Sequence, residues 1–310
     1  MIKTSTFNLL LSSVLLFLSL STQAEIKNIS AANTQIGLQF VTTNLNYTEK
    51  SIEHIKADTE QGFVPGFGTN LSVMKDLVFG NDYLAFQFSK LNGTTDYIGA
   101  TNTQYTPPQG PGILSYTPAS NYGAVHQTDS AEMLDFSGKI GKGFEVSNSI
   151  LVTPYLEVGH HEWNRHLNNN LSNISAYRYN ISSNEDYNNY YAGFGTMGQI
   201  TPINNLVITA NAMVGGTFSP IMTATGSPSV LSAIGPAPST KNYVLGASVV
   251  YKVGLSFDYS IYKNFHANAG AEFSAFDYGK SDSTSTIPSS YEPASQSNYT
   301  TVKTGIGYSF

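Results

Sequence analysis

The chain has 310 residues, a formal charge of −6 and no cysteine, and only 12% of its residues are charged. That is about half the ~25% of an ordinary soluble domain, yet mean hydropathy is only −0.14. No segment beyond the N-terminus approaches the ~20 apolar residues of a spanning helix. The 12% of aromatics argues against a disordered chain, and the lack of cysteine against a disulfide scaffold. An acidic chain with no basic patch argues against nucleic acid as a partner.

Residues 1–24 read as a secretory signal. Lys3 supplies the positive n-region and 7–20 an apolar core. Thr22-Gln23-Ala24 puts small residues at −3 and −1 of a cleavage point before Glu25. The expected mature domain is therefore 25–310.

From there the sequence alternates. Ile36, Leu38 and Phe40 interleave with Gly37, Gln39 and Val41. The same pattern carries Phe67 to Val73, Leu84 to Phe88, Leu134 to Ile140 and Val152 to Val158. It continues through Tyr190 to Ile200, Leu206 to Val214, Leu245 to Tyr259, Phe265 to Phe273 and Thr300 to Phe310. Period-two alternation means strands. The count is ten, with eight or twelve as alternatives. Short turns are expected at 78–82, 142–148, 202–205 and 263–264. Long polar segments fall near 48–62, 99–128, 168–186, 222–241 and 279–296. Tight turns on one side and long loops on the other are the topology of a transmembrane antiparallel up-and-down β-barrel, an all-β fold.

The second face of each strand carries Gly, Ser, Asn and Gln with few charges: Asp135, Lys139, Glu157, Lys252, Asp258, Glu272 and Lys303. A water-exposed surface is normally rich in Lys and Glu, so these seven are expected to line a confined lumen while the apolar rows face lipid. Aromatics near strand ends suggest interfacial girdles. Trp163, Tyr187, Tyr190 and Tyr243 fall on the long-loop side, and Phe265 and Tyr83 on the short-turn side, with Tyr308 and Phe310 at the C-terminus.

Tyr308-Ser309-Phe310 after Val302, Thr304 and Ile306 resembles the C-terminal signal read by outer-membrane assembly machinery. Lys139-Ile140-Gly141-Lys142-Gly143-Phe144, Pro154-Tyr155-Leu156-Glu157-Val158-Gly159 and Trp163-Asn164-Arg165 resemble a hairpin of the same group. The chain thus resembles Gram-negative outer-membrane β-barrel proteins, the broad opacity-type, OmpX-like and OmpA-like group. The resemblance implies export through the periplasm to the outer membrane. Its implied partners are outer-membrane lipid and lipopolysaccharide, the assembly machinery and an extracellular ligand at the loops.

The densest polar run is His160-His161-Glu162-Trp163-Asn164-Arg165-His166. On a strand, His161 and His166 fall on opposite faces, so no compact metal set follows. The run reads instead as a polar strand end at headgroup level, with Arg165 near lipid anions. A rim hydrolase would need a carboxylate beside a histidine; Glu185-Asp186 with His126 or His160 are the candidates. No catalytic, cofactor or metal residue is assigned. The expected role is structural or surface-interacting through long loops, including the Pro- and Tyr-rich segment 104–117. A narrow porin is the alternative and a rim hydrolase the third reading.

Overall fold

A strand with one apolar and one polar face can bury only one of them in lipid. A sheet of such strands has no exposed edge once the first pairs with the last. The computed structural model closes in this way. It describes residues 26–50, 56–76, 78, 80–100, 122–167, 182–226, 240–281 and 292–310. The expected signal segment 1–24 and the loop segment 104–117 lie outside the described residues.

In chain order the elements are α1 (Ile26–Ala32), β1 (Gln35–Lys50), β2 (Lys56–Lys75), β3 (Asp82–Ala100), β4 (Tyr122–Lys142), β5 (Phe144–Ser147), β6 (Ile150–His166), β7 (Ser182–Ile203), β8 (Leu206–Gly226), β9 (Thr240–Val244), β10 (Val249–Tyr262), β11 (Phe265–Tyr278) and β12 (Ser295–Ser309). Each pairs antiparallel with its neighbours. β12 returns to β1, and β10 pairs with β8, which completes the ring.

The twelve pieces make ten barrel strands. β5 continues β4 past Gly143 and pairs with β6 in the register β4 began. β9 and β10 pair with β8 in one register, broken at 245–248 opposite 217–220, where Ser219 has φ 52°. Across the break Thr217 N–H still donates to Ser248 O at 2.8 Å, and Leu245 N–H to Pro220 O at 2.9 Å.

Short turns close one end. β7 meets β8 through Asn204-Asn205, and β10 meets β11 through Lys263-Asn264. Asn205 at φ 68° and Lys263 at φ 50° take the left-handed backbone that tight hairpins require.

At the other end the long segments are shorter than the sequence suggests. β1 runs to Lys50 and β2 begins at Lys56; β7 begins at Ser182 and β12 at Ser295. Strands reach 22 residues in β7, against the ~9–11 needed to cross a bilayer. The cause is physical. Outward residues change from Ile36, Leu38 and Phe40 to Thr42, Asn44 and Asn46. Beyond the outward apolar band the outer face is polar while Leu45 and Tyr47 make the inner face apolar, so the apolar row changes sides while the hydrogen-bonded ladder goes on.

The apolar rows face outward. Leu38 is 64% exposed, Phe67 74%, Phe194 73% and Ile306 59%. Phe265 and Tyr308, paired across β11 and β12, meet edge-to-face at 5.3 Å.

Candidate functional site

The inward face is where charge collects. All seven charged residues expected in the lumen project inward: Glu157 is 2% exposed, and the other six line one or both of two internal cavities. At mid-height, Glu157 of β6 accepts from Lys252 Nζ of β10 at 2.8 Å and lies 3.6 Å from Lys139 Nζ of β4. Tyr191 Oη donates to Glu157 at 3.1 Å and accepts from Lys252 at 2.5 Å. One carboxylate therefore has two cations and a hydroxyl, the pairing that a charge removed from water needs. Beside it, Asp135 bonds His161 Nδ1 at 2.7 Å, and His161 Nε2 meets Tyr299 Oη at 3.0 Å. Phe276 stacks on the imidazole at 5.0 Å.

Above the lipid band the lumen is filled by Arg165 of β6. Its Nε donates to Glu185 at 2.8 Å and its Nη1 to Glu60 at 3.1 Å. Its guanidinium lies 5.1–5.8 Å from the ring centres of Tyr47, Tyr97, Trp163 and Tyr187. Trp163 and Tyr187 stack at 5.3 Å, and Tyr47 and Tyr187 share a hydroxyl contact of 3.0 Å. Tyr187 Oη donates to Glu292, in the segment entering β12, at 2.9 Å. Burial first, then the Glu185 charge, pushes the Glu292 carboxyl up to about 8 against the pull of Arg165.

This arrangement corrects several expectations. Trp163 and Tyr187 are fully buried in the lumen and are not girdle residues. Tyr243 packs against the same interior cluster, and Tyr83 is 8% exposed and faces in. Arg165 is 3% exposed and is not at the headgroups. The reason is parity: Trp163 and Arg165 share the β6 face of Glu157 and His161, and Tyr187 that of Tyr191 on β7. Tyr190 and Phe265, with Tyr308 and Phe310, do face outward, 45–53% exposed.

The short-turn end is closed by α1. Ile29 on its inner side is fully buried. Asn33, just past the helix, exchanges two amide hydrogen bonds with Gln199 of β7, at 2.6 and 3.1 Å. Gln35 donates to Asp258 at 3.0 Å, and Asp258 bonds His266 at 2.5 Å. Between this floor and Lys139 lies a cavity of about 170 Å³, and a second of about 60 Å³ lies toward the long-loop side, walled by Asp135, His161, Lys252 and Tyr299. Gln39, Gln87, Glu272 and Lys303 line both.

Of the rim-hydrolase residues, Glu185 points inward to Arg165, while His160 and Asp186 share the outward face as electrostatic neighbours and His160 bonds Asn188 at 2.9 Å. His126 is exposed and pairs across the ladder with Ile98 of β3. Among the described residues no group of three or more His, Asp or Glu is arranged to hold a metal ion.

Sequence reasoning missed the Arg165 stack, the His161–Tyr299 contact and His266. Parity was available as a signal for each, since all share a face with a residue assigned to the lumen. Which strand supplies the partner was not.

No protein-family profile and no curated protein matches the sequence. Among solved structures, the barrel is similar to the outer membrane protease OmpT from Escherichia coli, with a TM-score of 0.51 at 10% identity. The match covers 94% of this chain and 100% of that one. A TodX deltaS2S3 mutant monoaromatic hydrocarbon channel aligns at TM-score 0.34 and 8% identity, over 94% of this chain and 93% of that one. The translocator domain of the autotransporter NalP from Neisseria meningitidis aligns at TM-score 0.34 and 12% identity, over 92% and 93%. The fold is that of an outer-membrane β-barrel.

Proposed function

We propose that this chain is an integral outer-membrane barrel with a closed lumen, acting through contacts at its outer rim. One observation carries this reading: Arg165 and its four rings fill the upper lumen, while the strands continue past the lipid band as a polar wall. A lumen blocked at mid-height by Glu157 and its cations, and below by α1, favours work at the surface over transport. Small barrels are filled by side chains in this way, whereas open channels belong to larger ones. The reading is non-enzymatic, with Glu185 held inward by Arg165 and His160 engaged by the Asn188 amide.

Two measurements test it. In planar bilayers the refolded protein gives no stable single-channel steps. Steps altered by substitution of Lys252 or Glu272 would overturn the closed lumen in favour of a narrow porin, the reading favoured by the two adjoining polar cavities. On intact cells, excision of 104–117 removes adhesion to immobilised matrix or host-cell surface while heat-modifiable gel mobility is kept. Adhesion unchanged by excision of each long loop in turn would count against a rim function.

A further inference from the structure

We infer that the outward face of β1–β3 is a binding site for one phosphorylated, acylated lipid of the outer leaflet, with its chains in a phenylalanine-lined groove and its phosphate on Lys90. The inference rests on the outer-membrane reading above and adds a defined lipid to it.

A groove of about 600 Å³ runs over these strands, lined by Leu38, Phe40, Phe67, Thr69 and Phe88, with Lys90 among its walls. Phe40 and Phe67 meet edge-to-face at 6.0 Å, so the floor is a shaped aromatic surface. Phe67 is 74% exposed, open to an occupant from the lipid side.

Lys90 stands among apolar neighbours at its own level of the wall. It faces Phe67 on one side and Leu134 on the other. Phe63, 69% exposed on β2, lies further toward the outer end, while β1, β3 and β4 turn polar there at Thr42, Asn92 and Glu132, so the ammonium stands at the upper edge of the apolar band. A cation on the lipid face is unfavourable unless it reaches water or an anion. At the short-turn end Lys75, Lys142 and Lys263 each lie over a ring, Phe310, Phe144 and Tyr262. Lys90 makes no hydrogen bond, ion pair or ring contact with any described residue. The nearby carboxylate of Glu132 accepts from Asn92 Nδ2 at 3.0 Å. An unpaired ammonium at the mouth of an apolar groove, on the long-loop side, matches a headgroup phosphate above acyl chains. Attraction of lysine to anionic lipid supplies the specificity.

The test uses the refolded full barrel in detergent, with lipid A, a phosphorylated acylated disaccharide, as probe and native mass spectrometry as readout. One adduct per chain is expected. Lys90→Gln lowers its occupancy about fivefold, the effect of one lysine at an anionic surface, and Lys90→Glu lowers it further. Phe67→Ser weakens it through the chains. Dephosphorylated lipid A binds the wild type no better than lipid A binds Lys90→Gln. Equal occupancy in wild type and Lys90→Glu would overturn the site. So would indifference to the phosphates, or a lipid-free dimer, which would make the groove a contact between copies. The substituted side chains are exposed, and retained heat-modifiable mobility verifies that the variants fold. Absence of that mobility shift in the wild type would instead strike at the membrane reading.

Discussion

Gly159 stands directly opposite Tyr191 in the β6–β7 ladder, and the Tyr191 ring lies across it in the space that a Cβ would fill. Gly195 and Tyr155, four residues along each strand, repeat the relationship in reverse. Two glycines thus make slots that hold two tyrosines flat against the inner wall. The Tyr191 slot sets the hydroxyl that touches both Glu157 and Lys252.

Adding one methyl at Gly159 therefore displaces the Tyr191 ring. Gly159→Ala is expected to destabilise the barrel by about 1–3 kcal/mol, the usual range for overpacking, read from urea unfolding of the refolded protein. Gly198→Ala is the control, because a Cβ there meets nothing within 4 Å. Equal midpoints for the two variants would show that the slot is not tight.

Lys252→Met leaves Glu157 with a single cation, Lys139 at 3.6 Å. Breaking a buried pair from one side costs about 3–5 kcal/mol. Combining it with Glu157→Gln removes the stranded charge, so the double variant is expected to lose less than the sum of the singles. The coupling should be about 0.5–3 kcal/mol. Strict additivity in that cycle would mean the two side chains do not depend on each other.

The Glu292 carboxyl, raised to about 8 by burial, sets a pH dependence. Between the ordinary glutamate value of ~4.3 and about 8, the folded state holds a proton that the unfolded chain has released. Stability from this group is therefore fully present below the ordinary value and is lost as pH rises through about 8. The temperature of the gel-mobility transition should fall from pH 5 to pH 9, and Glu292→Gln should flatten the decline. An unchanged slope in the variant would remove Glu292 as its source.

The contacts proposed to close the lumen lie at three separable levels. Deletion of 26–34 removes α1 and the Asn33–Gln199 amide pair but leaves the central charges and the Arg165 stack. No conductance is expected from that deletion alone. Adding Arg165→Ala empties the outer stack, and any leak should appear first in the combined variant. Single-channel steps from the deletion by itself would show that α1 is the main barrier.

Much of the fold was legible because a barrel wall imposes period two on the chain. Leu84, Phe86 and Phe88, or Ala267, Ala269 and Ala271, announce a face turned to lipid without reference to any other strand. The same rule, followed to the strand ends, would have turned Trp163 and Arg165 inward. At strand ends that rule competes with the preference of aromatics for an interface. The strand extensions were hidden for a different reason. Thr42, Asn44 and Asn46 face outward while Leu45 and Tyr47 face the lumen, so the apolar row swaps faces and the outward pattern ends although pairing continues.

The chain is short of charge and nevertheless not hydrophobic. The sequence by itself determined that apolar and polar residues interleave over ten strands, because that periodicity is local. It also determined which charges share the inner face. Only the tertiary structure decided what those charges meet. Glu157 reaches Lys252 across 95 positions of chain, and Arg165 reaches Glu60 across 105. Closure of the ring brings them together, because only the closed sheet turns strands distant in sequence toward one interior.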